Sequence, residues 1–157
     1  MVLLFWVMPV KAQVKPMPQQ HSMAEHKFFN PDAIQWQEGP ASLPKGAKVS
    51  VLEGDLAKEG PFTLRVLFPA NYKVGPHWHP AIEHVTVLKG TFYMGAGETY
   101  SPDMAKKLEV GAFAVMPAKV VHYGFTTKNE AMIQVHGTGP WGITYVNPAD
   151  DPRTASK

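Results

Sequence analysis

The chain has 157 residues, 45% of them hydrophobic and 18% charged, which suits one domain with a sizeable buried core. A formal net charge of +2, with no lysine or arginine cluster, leaves no electrostatic footprint for a nucleic acid. Cysteine is absent, which removes disulfides, thiolate metal sites and cysteine nucleophiles.

In chain order, the first signal is an apolar run from Val2 to Val10. Val10 and Ala12 are small residues placed three and one positions before a cut after Ala12, the pattern a signal peptidase accepts. Residues 1–12 therefore read as a signal peptide, and the protein as periplasmic or secreted; without that signal it would be cytoplasmic. The run is too short for a stable membrane span. Residues 13–27 are rich in proline and glutamine without apolar periodicity, and read as a flexible tether. Met17, His21, Met23 and His26 are donors for a soft metal, but scattered positions fix no geometry.

From Phe28 onward, short apolar stretches alternate with turn residues. "KVSVLEG", "FTLRVLFP", "EHVTVLKG", "TFYMGAG", "GAFAVMP", "VHYGFTT", "AMIQVHG" and "GITYVNP" are mostly β-branched or aromatic and end at Gly, Pro, Asn or Thr. No stretch sustains a 3.6-residue apolar period, so long helices are not expected. The pattern predicts an all-β sandwich or barrel over residues 28–147, with a tail at 148–157. The segment Gly97 to Gly111 reads as a surface loop leading back into a strand.

The densest chemistry lies in "GPHWHPAIEH", Gly75 to His84. Side chains two apart on a strand share a face, so His77 and His79 point the same way and Trp78 points away. If Glu83 opens the next strand facing inward, Val85 and Val87 follow it into the core, and His84 takes the other face. Two imidazoles and a carboxylate form a facial set that leaves coordination positions open. Chance alone produces this spacing in about 1.5 of every hundred such chains, so the spacing is suggestive only.

The stretch His77 to Gly90, "HWHPAIEHVTVLKG", resembles the first motif of the cupin superfamily, H-x-H-x3-4-E-x6-G. The second cupin motif is approached by Gly111 to Thr126, "GAFAVMPAKVVHYGFT", where Gly111, Pro117 and His122 match in position. Lys119 stands where a glycine is usual and Thr126 where an asparagine is usual. A glycine at the first of these normally supplies a positive φ. The resemblance implies a double-stranded β-helix, or jelly-roll barrel, with a metal near one mouth. Carried over residue by residue, the metal ligands are His77, His79, Glu83 and His122. Such a set suits one divalent transition metal ion, Fe, Mn, Ni, Zn or Cu, without choosing among them.

Other residues are candidates around that site. Gln134 and His136 share a face near the end of a predicted strand. Facing inward they would line the cavity as a metal's outer partners or as an acid/base; otherwise His136 is an ordinary hydrogen-bonded histidine. Arg65 lies opposite the apolar Phe62, Leu64, Val66 and Phe68. Parity places Tyr123 opposite His122, in packing, while Tyr93 stands beside Phe92 and Trp141 suits a packed loop. The resemblance implies a small metalloenzyme of dioxygenase, isomerase or decarboxylase type acting on a small molecule. The alternatives are a non-catalytic metal- or ligand-sensing module and a metal-free binding cupin. Exposed sheet edges in a small jelly roll invite pairing into a homodimer.

Overall fold

The computed structural model describes residues 26–154. The signal peptide expected at 1–12 and most of the expected tether lie outside them. Eleven strands follow in order: β1 (Gln37–Glu38), β2 (Lys48–Glu53), β3 (Gly60–Phe68), β4 (Lys73–Trp78), β5 (Glu83–Lys89), β6 (Thr91–Ala96), β7 (Lys106–Glu109), β8 (Phe113–Met116), β9 (His122–Phe125), β10 (Ala131–Gly139) and β11 (Thr144–Tyr145). Only three short 3-10 turns accompany them among the described residues. One sheet has the order β1-β2-β3-β10-β5-β8 and the other β11-β4-β9-β6-β7. Their inner faces enclose a shared apolar interior, giving the jelly-roll barrel of the expected class.

All eight apolar stretches fall on strands. The segment 97–111, expected as a surface loop, also contains β7, which pairs with β6 from Thr91↔Glu109 to Met94↔Lys106. An edge strand with one inward side chain, Leu108, has no alternation by which to announce itself.

The core follows from period-two burial. On β3, Phe62, Leu64, Val66 and Phe68 are buried; on β5, Glu83, Val85 and Val87 are. Strand β10 lies between them, with Val135 opposite Leu64 and Val85, and Ile133 opposite Val66 and Val87. Each such side chain contributes about 1.5–3 kcal/mol of burial. This register corrects the inward expectation for Gln134 and His136. Ile133 and Val135 take the inner face because the strands on both sides present apolar partners there, and parity sends Gln134 and His136 to the outer face.

Two turns carry unusual backbone. Gly90 joins β5 to β6 at φ 70°, and a Cβ there would lie 2.2 Å from the Glu130 carbonyl oxygen, so no other residue fits. Lys119 keeps the left-handed conformation that a glycine would supply, with φ 63°. Thr126, in the place of the usual asparagine, is buried. Its hydroxyl donates to the Pro69 carbonyl at 2.6 Å and accepts from the Tyr72 N–H at 2.9 Å, tying β9 to the turn before β4.

Candidate metal centre

Three strand ends and one connection converge at one mouth of the barrel. His77 lies near the end of β4, and His122 opens β9 directly opposite it in register. Glu83 opens β5 in the other sheet, so the cluster bridges the two sheets. His79 follows β4, and its carbonyl accepts from the Lys119 N–H at 2.8 Å. The left-handed turn at Lys119 therefore laces the two motif loops together.

The imidazoles share one tautomer. Nδ1 of His77 faces the Gly75 carbonyl at 2.7 Å, that of His79 the Gly142 carbonyl at 2.8 Å, and that of His122 the Val120 carbonyl at 3.0 Å. A carbonyl oxygen only accepts, so each Nδ1 carries the hydrogen and donates it. In the neutral ring this leaves each Nε2 with a lone pair. Ligand atoms of the three rings lie within 4.8 Å of one another. A Glu83 carboxylate oxygen sits 3.3 Å from His122 Nε2 and 3.5 Å from His79 Nε2. Both of those nitrogens are buried without a hydrogen-bond partner.

These groups form a buried cluster of acceptors that needs a cation. A proton is one answer, giving an imidazolium–carboxylate pair. Burial opposes it at His77, whose pKa is lowered from 6.5 to about 3, helped by His122 and His79. At Glu83, burial pushes the carboxyl up, and His122 and His79 hold it below the usual carboxylate range only while their Nε2 atoms carry a hydrogen. A divalent metal fits better: three imidazoles oriented through their Nδ1–H groups and one carboxylate match its donor preferences.

The four residues line a cavity of about 390 Å³ whose other walls are mostly apolar, a volume within the range of small-molecule sites. Trp141, expected only as a packed loop residue, is part of this site. Its indole stacks on the His79 ring with centroids 4.4 Å apart and planes at 17°. No spacing rule pairs residues so distant in sequence, although the aromatic within "GTGPWG" was a usable signal.

The remaining candidates lie elsewhere. On the outer face of β10, His136 stacks on His84 at 4.8 Å, and Gln134 accepts from the Arg65 guanidinium at 3.2 Å. None of these four lines the cavity. Tyr123 is fully buried and donates to the Ser101 carbonyl at 2.6 Å. Tyr93 stacks on Phe125 at 4.9 Å. Trp78 is half-buried at the end of β4, beside Thr144 of β11.

A two-sheet jelly roll with three histidines and a glutamate gathered at one mouth defines a cupin. More narrowly, the chain belongs to the ChrR cupin-like domain family, whose sequence profile matches residues 24–141. No curated protein sequence matches the chain. Among solved structures, the polyketide cyclase RemF from Streptomyces resistomycificus is 16% identical, with 82% of this chain and 91% of RemF covered and a TM-score of 0.67. The DMSP lyase DddQ from Ruegeria pomeroyi is 20% identical over 74% of this chain and 63% of its own, with a TM-score of 0.59. A chain of the Rhodobacter sphaeroides complex of SigE with the anti-sigma ChrR is 16% identical. That match covers 69% of this chain and 51% of the other, with a TM-score of 0.51. At these identities the likeness concerns the fold.

Proposed function

We propose that this chain is a metal-dependent enzyme acting on a small organic molecule. The observation that carries the reading is a buried, acceptor-only cluster opening onto a cavity of ligand size. In it, His77, His79, Glu83 and His122 hold one divalent ion of Fe, Mn, Ni, Zn or Cu. When bound, such an ion supplies a Lewis acid with open positions for a substrate oxygen. The chain's own contribution is orientation and exclusion of water. Backbone carbonyls fix the three rings, Trp141 packs against His79, and apolar walls keep solvent from the reacting end.

The names of two similarly folded proteins, a polyketide cyclase and a DMSP lyase, support a conversion of an organic substrate. Within that class we place the reaction among dioxygenase, isomerase, decarboxylase, lyase and cyclase types. The test is turnover of a panel of small carbonyl and hydroxyl compounds by metal-reloaded protein, with and without oxygen. Activity lost in His122→Ala supports an enzyme.

A second reading is a sensing module without turnover, favoured by membership in the ChrR cupin-like family. It predicts a compound that binds the reloaded protein saturably and is recovered unchanged. Two further expectations belong to either reading. Export through residues 1–12 predicts a mature N-terminus at Gln13. Exposed Phe113 and Val115 on the edge strand β8 support a homodimer, which sedimentation would read as twice the mass of the single chain.

A further inference from the structure

Among the described residues, no cationic side chain faces the cavity. None of its lining residues, all within the described chain, is lysine or arginine. Its two charged side chains are both acidic: Glu83, committed to the centre, and Glu38, exposed on β1. Both sheets contribute apolar wall, among them Leu64, Val66, Phe92 and Ile133, all buried. Polar lining away from the centre is confined to Gln37, Glu38 and Ser42 on the β1 side and the Trp141 indole. A charged group seated against these walls would lose its hydration and find no counter-ion.

We propose that the centre takes a ligand of two unlike parts: an oxygen-bearing end that reaches the metal, and an uncharged, apolar body, aromatic or alicyclic, that fills the cavity. The oxygen end rests on the metal reading above. The apolar body rests on the walls alone. Ligands of the same head chemistry are therefore sorted by charge on the body: sugar acids, phosphates and dicarboxylates are rejected, and neutral ring compounds are accepted.

The test uses zinc-loaded protein, so that no redox turnover intervenes, and two probes with the same chelating head. One is ortho-hydroxyacetophenone. The other is the same molecule with a ring carboxylate para to the hydroxyl. Calorimetric titration and quenching of tryptophan fluorescence read binding. The expected result is at least tenfold tighter binding of the uncharged probe. Equal or tighter binding of the carboxylate overturns the proposal, and so does failure of both probes to bind at their solubility limits. Glu38→Gln, which removes the charge without adding a counter-ion, separates the walls from the exposed acid. Discrimination should survive it within about threefold, whereas its loss would assign the selectivity to Glu38 and also overturn the proposal. Zinc content measured on the same samples keeps two failures apart. Protein that holds zinc but does not discriminate refutes only the apolar body, and protein that holds none refutes the metal centre.

Discussion

The Trp141 indole lies against the His79 imidazole at 4.4 Å, and the carbonyl of the next residue, Gly142, accepts the hydrogen of His79 Nδ1 at 2.8 Å. One loop therefore fixes both the plane and the tautomer of a candidate ligand. Trp141→Ala should weaken metal binding about tenfold, as loss of a ligand's supporting contacts generally does. Trp141→Phe keeps a ring in place and should cost less than about threefold. Competition against a chromogenic chelator reads both. Equal affinity in all three proteins would remove Trp141 from the site.

Lys119 holds a left-handed backbone at φ 63° while its N–H binds the His79 carbonyl. A side chain in that region costs about 1–2 kcal/mol, part of which glycine forfeits through the entropy of the unfolded chain. Lys119→Gly should thus raise stability by about 0.5–1 kcal/mol. Lys119→Val, β-branched at positive φ, should lower it by about 1 kcal/mol or more. Urea midpoints of the metal-free proteins decide; the reverse order would mean that the turn is not strained.

Burial lowers the His77 pKa from 6.5 to about 3. Between those values the unfolded chain binds a proton that the folded chain refuses, so stability falls as pH drops through this window. One proton gives a slope of at most about 1.4 kcal/mol per pH unit. Glu83, held below its ordinary value, acts in the same direction at lower pH. The metal-free wild type should therefore lose urea resistance from pH 6.5 downward, and His77→Gln should flatten that loss. A midpoint independent of pH would contradict a neutral, buried His77.

His136 and His84 are partners across β10 and β5, and their rings stack at 4.8 Å with planes at 11°. Both lie on the sheet's outer face, away from the centre. His136→Ala and Gln134→Ala should keep full metal content and lose about 1 kcal/mol of stability from lost packing or a lost hydrogen bond. Loss of metal in either variant would return β10 to the site.

Strand parity alone separated His77, His79 and Glu83 from His84, and sent Val85 and Val87 inward, where both are 1% exposed. The second motif supplied His122, which the register places opposite His77. At β10 parity paired Gln134 with His136 and Ile133 with Val135 but left open which face of "MIQVHG" is turned in. The choice is made by Leu64, Val66, Val85 and Val87 on neighbouring strands, and their register is not written locally. Trp141 reaches His79 through the docking of a distant loop, anchored by its own N–H on the Leu56 carbonyl at 2.7 Å. Lys119 stands where a glycine is usual, and the fold holds it at positive φ with its N–H on the His79 carbonyl.

The central claim is that four acceptors, His77, His79, Glu83 and His122, require a cation that a metal supplies. Elemental analysis of the purified protein, after reloading with each candidate metal and removal of the excess, tests it most directly. The predicted result is about one ion per chain in wild type and close to none in His77→Ala and His122→Ala. A folded wild type that retains no metal under any loading would contradict the claim.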